Sequence, residues 1–243
     1  MWVYCAGELG APSNILFEYQ PTRHGDHAAK FLGDYSGHLV CDGYAGYNKV
    51  KNVTRCGCFA HVRRKYVDAL PKDPKLVASS KAAIGVDYCN RLFKMEKKFA
   101  DLTPEERHKQ RQEQEKPLLD AFFAWAETLK PSGKTALAKA VAYTLSEKKH
   151  LMNFLDNPLA PISNNRAENA IRPFVIGRKG WLFCNSVKGA QSSAIFYSLA
   201  ATATANGINA EQYFTKLFQT LPFYADEKTL DSFIPEVFLE SLD

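Results

Sequence analysis

Trp2-Val3-Tyr4-Cys5-Ala6, Asn14-Ile15-Leu16-Phe17-Glu18-Tyr19 and His38-Leu39-Val40-Cys41 carry the β-branched and aromatic residues of strands, each run ending at turn formers. Gly7 to Ser13 reads as the turn between the first two. Gly25 to Tyr35 reads as a helix with Ala28, Phe31 and Leu32 on one stripe. After Cys41 the chain turns at Asp42-Gly43, and a further strand, Arg55 to Phe59, is expected to run into a helix through Ala69, stopped by Pro71. Strand, strand, helix, strand, strand and helix in succession predict an α/β sheet. Met1 falls directly on the first strand. Domains commonly open with surface residues, so the chain is expected to begin partway through a sheet.

Working outward, Lys72 to about Asn157 is helical only. Thr103-Pro104-Glu105-Glu106 is a helix start, with a capping threonine, proline at the first position and a glutamate to reach back. Its helix is charged through Lys116 and then apolar at Leu118, Leu119, Phe122, Phe123 and Trp125, and Pro131-Ser132-Gly133 breaks it. A third helical stretch covers Ala136 to about Leu155. After Pro158 and Pro161 a short helix is expected from Asn164 or Asn165 to Pro173, followed by an extended Trp181-Leu182-Phe183-Cys184. The uncharged run Gly189 to Ala210 reads as a buried helix closed by Asn206-Gly207, and Asn209 with Gln212 opens another.

Composition narrows the class. Of 243 residues 46% are hydrophobic and 23% charged, which excludes disordered, collagen-like and coiled-coil chains. The net charge of +5 permits a polyanionic partner without requiring one. Six cysteines are too few for a disulfide scaffold and read as reduced thiols of a cytosolic protein. The start lacks the basic and apolar regions of a secretory signal. Gly189 to Ala210 is long enough for a bilayer, but its Ser, Thr, Asn and Gln side chains argue against a span.

Two carboxylates stand out. Asp42 sits where a strand ends, a usual place for a sheet to present a ligand-binding side chain; it also fits a plain turn. Glu168 would share a helical face with Asn165 and Arg172, a stripe more polar than packing needs; it also fits a cap on Asn165. Cys56, Cys58 and His61 invite a zinc reading, yet no second ligand pair follows at a standard spacing, and the two cysteines suit packing on one side of a strand. Arg63-Arg64-Lys65 puts three cations at a helix start, against its dipole, so an anionic partner or a solvated face must compensate. Gly177-Arg178-Lys179-Gly180 sets glycines beside cations, as phosphate-approaching backbone does, and Tyr44 and Tyr47 could stack on bases or simply be buried.

Cys41-Asp42-Gly43-Tyr44-Ala45-Gly46-Tyr47-Asn48, Cys58-Phe59-Ala60-His61-Val62-Arg63-Arg64-Lys65 and Asn164-Asn165-Arg166-Ala167-Glu168-Asn169-Ala170-Ile171-Arg172-Pro173 closely resemble three signature blocks of one family, as does Gly177-Arg178-Lys179-Gly180-Trp181-Leu182-Phe183. The family is the DDE transposases of the insertion-sequence sixty-six type. The resemblance implies an α/β fold with a ribonuclease-H-like mixed sheet, interrupted by a large all-helical insertion. Residues 1–71 would be the first part of that core, 72–160 the insertion, and 161–243 the second part with the glutamate-bearing helix. It implies catalytic and metal-holding roles for Asp42 and Glu168, the second and third acids of a triad on two magnesium or manganese ions. His61, one turn before Arg64, is a further catalytic candidate that would assist at the scissile phosphate; it also fits packing. Arg63, Arg64, Lys65, Asn164, Asn165, Arg172, Arg178 and Lys179 would contact DNA.

Ser163 departs from the aspartate common in the family. The family's first catalytic aspartate belongs on a strand before Trp2, so this chain is expected to be truncated ahead of it and inactive alone; Glu8 and Glu18 do not stand where that acid belongs. The expected activity of the full-length protein is cleavage and strand transfer of transposon ends. It would be bacterial, cytoplasmic and nucleoid-associated, with DNA as partner, self-association allowed and no membrane. The alternative is a non-catalytic DNA-binding or assembly remnant of a mobile element.

Overall fold

A computed structural model describes residues 1–7, 13–131, 133–182 and 184–221, which fall into two compact units. One is Met1–Arg23 with the chain from Asn165 onward; the other is His24–Asn164. The described strands pair two and two, one pair in each unit, where a single mixed sheet is expected from the sequence. The central turn residues 8–12 (Glu8 among them), Ser132 of the predicted helix break and Phe183 lie outside the described residues.

In the first unit β1 (Trp2–Ala6) and β2 (Asn14–Glu18) form an antiparallel hairpin with Val3 opposite Phe17. Their apolar face packs with residues of α9 (Asn165–Trp181) and α10 (Val187–Ala205): Ile15, Phe17 and Ala194 are buried there, joined by Ile171, Phe174 and Tyr197. The other edge of β2 meets polar side chains of α10. Phe17 N donates to Ser198 Oγ at 2.8 Å, Ile15 N to Thr202 Oγ1 at 3.0 Å and Ser13 N to Asn206 Oδ1 at 2.8 Å. Thr202 and Asn206 also donate back to the carbonyls of Ile15 and Ser13. A strand edge is thereby satisfied by a helix. These are the polar residues that argued against a membrane span, and no described helix is long and apolar enough to cross one.

Three expectations for this unit need correction. Pro173 lies inside α9 rather than closing it. Proline frees the carbonyl four residues back, but Asn169 and Pro173 both face outward, where solvent can satisfy it, while Ile171 and Phe174 hold the inner face. Trp181 is the last residue of that helix, not the start of a strand. Leu182 follows at φ 63°, its N–H donating to Arg178 O at 2.8 Å as a left-handed cap. Finally, α10 starts at Val187 under a Ser186 cap and buries only one face; Ile195 and Phe196 are 60% and 46% exposed. Its end is as expected, with Gly207 at φ 77° and Ile208 N bonded to Ala203 O at 2.9 Å. Asn209 caps α11 (Ala210–Thr220) through Gln212 N.

The second unit holds α1 (Gly25–Leu32), β3 (Gly37–Val40) and β4 (Val53–Cys56), the two strands parallel with Val40 beside Cys56. Leu32 is half-buried, but Phe31 is 39% exposed, off the expected buried stripe. β4 ends at Cys56 instead of Phe59. Beyond it the backbone bonds to the short helix Lys148–Met152 and to the loop ahead of Asn165: Gly57 N donates to His150 O and Phe59 N to Ile162 O, each at 2.9 Å. A side chain on Gly57 would meet Leu151 Cδ2 at 2.9 Å, so only glycine allows this approach. Cys58 therefore precedes a helix instead of sharing a strand face with Cys56.

From there the unit is helical: α2 (Phe59–Asp68), a short α3 (Pro74–Val77), α4 (Lys81–Lys98), α5 (Pro104–Gln110), α6 (Lys116–Thr128), α7 (Ala136–Ser146) and α8 (Lys148–Met152). Thr103 and Glu106 form the predicted reciprocal cap. Between α5 and α6 the helix widens into one π turn, Arg111–Glu115, which relieves the clash that Pro117 would make with the preceding turn. The core gathers Val62 and Tyr66 of α2 with Leu92, Leu119, Phe122 and Phe123, and Tyr66, Tyr88, Phe122 and Trp125 stack at 5.2–6.0 Å.

Charged residues are buried in this core. Glu96 receives Arg107 Nη2 at 2.7 Å and Arg111 through Nε and Nη2, both at 2.8 Å. Arg111 also donates to the carbonyls of Phe154, Asn157 and Ala160, so all five guanidinium hydrogens are used. Glu115, fully buried, lies 3.8 Å from Arg111 Nε with neither oxygen hydrogen-bonded to a described donor. Burial first, and then the neighbouring Glu96 carboxylate, push its carboxyl up to about 9.

Candidate functional site

Asp42 stands just past the C-terminal end of β3, as predicted. Its Oδ1 accepts from Tyr44 N at 3.0 Å, folding the chain into a side-chain-closed turn that leads into a 3₁₀ turn, Ala45–Lys49. The turn reading of Asp42-Gly43 is thus borne out: one carboxylate oxygen shapes the loop, and the residue is half-buried. The loop is held from several sides. Gly43 N donates to the Tyr143 hydroxyl at 3.2 Å. Arg55 reaches up from β4, donating through Nη2 to the Asp42 carbonyl at 3.2 Å and through Nη1 to Asn48 Oδ1. Gly25 meets the loop from α1, where a side chain would strike Gly46 O, and Lys49 pairs with Asp26 at 2.7 Å.

Arg55 is 8% exposed, and its counter-charge is Glu147, 3.5 Å away at the junction of α7 and α8. The Asn153 side-chain amide donates to Arg55 O at 2.7 Å. Burial pushes the neighbouring Cys41 thiol up to about 11 against the pull of Arg55. His150 is lowered by burial and then by the Arg55 cation, both of which favour its neutral form. Burial likewise raises the Tyr143 hydroxyl to about 12, keeping it a neutral acceptor for Gly43. Arg55, Tyr143, Glu147 and His150 were not singled out by sequence reasoning. The one available signal was an arginine inside a four-residue strand, Val53-Thr54-Arg55-Cys56.

Of the other expected residues in this unit, His61 is half-buried in the first turn of α2. The three cations after it diverge around the helix. Arg63 Nε donates to Asn90 on α4 at 2.7 Å, while Lys65 Nζ lies 4.6 Å above the Tyr143 ring. Arg63 and Arg64 are exposed and Lys65 is half-buried. Tyr44 and Tyr47 pack edge to face on one another at 5.8 Å. Cys56 and Cys58 are buried; burial raises the Cys56 thiol to about 12, the behaviour of a packing residue. Asn164 closes this unit, its Oδ1 shielded and without a hydrogen-bond partner among the described residues.

In the other unit Glu168 is half-buried in the first turn of α9, where it favours the positive end of the helix dipole. Continuous helix from Asn165 places Asn165, Glu168 and Arg172 along one stripe, as their spacing predicts. Arg166 is a clamp: it donates to the carbonyls of Ala6 at 2.8 Å and Gly7, tying α9 to the hairpin. Arg172, Arg178 and Lys179 are exposed. Within either unit, no three or more described His, Cys, Asp or Glu side chains gather as a metal-holding group.

The family model described as Transposase IS66 family matches residues 1–192, which contain Asp42, the α2 cations and the start of α9. The chain belongs to the IS66 transposase family. Two curated relatives from Sinorhizobium fredii (strain NBRC 101917 / NGR234), the uncharacterized proteins y4hP and y4qI, are each 28% identical to it, over 92% and 91% of this chain. Those matches cover 46% and 44% of the relatives, so this IS66-family chain spans about half the length of the curated relatives it matches. No solved structure matches it. The matched span stops within α10, before the Ser198, Thr202 and Asn206 stripe.

Proposed function

We propose that this chain supplies carboxylates and DNA contacts to a transposase that cuts and joins transposon DNA by metal-dependent phosphoryl transfer, on a ribonuclease-H-like core with residues 72–160 as its helical insertion. The observation that carries the reading is the Asp42 turn: a carboxylate at a strand end, inside the family-matched span, immobilised by Arg55, Tyr143 and Gly25. Such immobilisation is what positioning a phosphoryl-transfer site requires. Asp42 and Glu168 are the proposed catalytic acids, and His61 assists them. Arg63, Arg64, Lys65, Asn164, Asn165, Arg172, Arg178 and Lys179 bind the phosphate backbone without reading sequence.

Carboxylate oxygens suit magnesium or manganese, so the donor chemistry of Asp42 and Glu168 fits these ions as part of a larger ligand set. When bound, the ions would lower the pKa of an attacking water or 3′-hydroxyl and stabilise the leaving oxygen. This chain's own part is to hold Asp42 oriented: Tyr44 N fixes one oxygen of its carboxylate, and the Arg55 guanidinium beneath the loop fixes its backbone.

The test is strand cleavage and transfer of labelled transposon-end DNA by a protein carrying this chain, with magnesium or manganese. Asp42→Asn and Glu168→Gln should each lower the rate by about a thousandfold or more while DNA binding is retained. Wild-type transfer rates in both variants would refute the assignment. DNA binding with no strand chemistry in any form would mark a binding or assembly module instead.

A further inference from the structure

Within the first unit, Trp181, Gly189, Ser192, Ser193, Phe196 and Tyr197 line a cavity of about 400 Å³ between the end of α9 and the first half of α10. That volume falls inside the roughly 300–1,000 Å³ range of small-molecule sites. The Trp181 indole forms one wall and is held in place rather than left loose. It packs at 5.8 Å against Phe174 and at 6.0 Å against Tyr197, which are themselves 5.3 Å apart. Gly177 makes room for it: a side chain there would sit 2.7 Å from the indole's outer carbons. Despite these constraints Trp181 is 43% exposed and Phe196 46%. A large aromatic that is oriented by its neighbours yet open to solvent is arranged as a stacking platform.

Charge specifies the occupant further. From Asn169 to Ala210 there is no Asp or Glu, while Arg172, Arg178, Lys179 and Lys188 all lie in that interval. Arg178 and Lys179 occupy the last turn of α9, and Lys188 the first turn of α10, so both helix ends that frame the cavity are cationic. The α10 N-terminus adds its positive dipole end. Aromatic walls, serine hydroxyls and cations at the two framing helix ends match a ligand that is itself an aromatic ring joined to phosphate.

We propose that this cavity takes one unpaired base of a DNA strand, stacked on Trp181, with its flanking phosphates paired to Arg178, Lys179 and Lys188. The inference rests on the DNA-processing reading above and adds that part of the DNA is engaged single-stranded. A base within duplex stacking offers no free face, so the site discriminates strand state and not sequence.

Equilibrium binding to an oligothymidylate strand, to a duplex of equal length and to free dTMP separates the alternatives. Trp181→Ala removes the platform, Ser192→Leu fills the cavity from an exposed helix position, and Trp181→Phe keeps a ring. Single-strand affinity should fall about tenfold to a hundredfold in Trp181→Ala and in Ser192→Leu, stay within about threefold of wild type in Trp181→Phe, and duplex affinity should be unchanged in all three. Should Trp181→Ala lose its helical circular dichroism, the Ser192→Leu result decides. Single-strand binding unaffected by Ser192→Leu would overturn the proposal, as would equal losses for duplex. Binding of dTMP at the cavity without binding of the strand would also overturn it. A protein that binds neither DNA form fails the transposase reading itself, a result distinct from these.

Discussion

Replacing Glu115 with glutamine should stabilise the protein at neutral pH, although it removes an acid that lies 3.8 Å from a buried arginine. Arg111 has no hydrogen left to give, since Glu96 and the carbonyls of Phe154, Asn157 and Ala160 occupy all of them. Ionised, Glu115 would sit buried without a donor and beside the Glu96 carboxylate. Its native carboxyl therefore titrates near 9 against an ordinary value of 4.5. Between those values the unfolded chain has released a proton that the native state still holds. The unfolded state binds fewer protons, so this group's contribution to stability falls as pH rises from 4.5 to 9. At about 1.4 kcal/mol per unit over the roughly 2.5 units from 4.5 to pH 7, the upper bound on that loss is about 4 kcal/mol. Glutamine has the same shape, carries no proton to lose and can donate to Glu96.

Urea unfolding followed by Trp125 fluorescence and far-ultraviolet circular dichroism, at pH 5 and pH 8, measures the difference. The wild-type midpoint should fall between the two relative to Glu115→Gln, with the variant the more stable at pH 8. A variant destabilised by more than about 1 kcal/mol at pH 8, or a gap that does not change with pH, would refute the reasoning and mean that Glu115 is an ionised partner of Arg111.

Arg55→Met should cost about 3–5 kcal/mol in the same unfolding assay, because it strands the buried Glu147 carboxylate and removes the donor to Asn48 and the Asp42 carbonyl. Arg55→Lys should recover part of that by restoring the charge without the fork. Arg63→Gln with Arg64→Gln should weaken DNA binding for any sequence and reduce the slope of log affinity against log salt by up to about 2; an unchanged slope would show that these arginines only face solvent.

Local signals in the sequence translated well where the chemistry is local. Thr103 with Glu106, Asn209 with Gln212 and Asn206-Gly207 act through backbone within four residues, and each does in the structure what its residue types dictate. Pro173 and Trp181 misled because both outcomes are decided at a distance. The inner face of α9 rests on the hairpin and α10, so the helix runs through its proline and on to the tryptophan. Arg107, Arg111 and Glu115 recur at every fourth position and look like a solvated helical stripe; only Glu96, on another helix, and the carbonyls after α8 make them core. The strand-end place of Asp42 and the helical place of Glu168 were legible from their neighbours. The Arg55 and Glu147 support was not, since their pairing joins residues far apart in sequence.

The contact between α10 and β2 is a problem of commensurate spacing. Four residues of helix advance about 6.0 Å, whereas two residues of strand advance about 6.8 Å. Ser198, Thr202 and Asn206 thus run alongside Phe17, Ile15 and Ser13 like two rulers of slightly different gauge. The mismatch of about 0.8 Å per rung accumulates to about 1.6 Å across three rungs, which side-chain rotation absorbs, and a fourth or fifth would outrun hydrogen-bond reach. A helix can therefore stand in for a neighbouring strand only over a short strand, and the five residues of β2 are close to that limit. Inserting one residue between two rungs of either ruler would throw those on one side out of phase with those on the other, so length in this region is fixed as firmly as residue type.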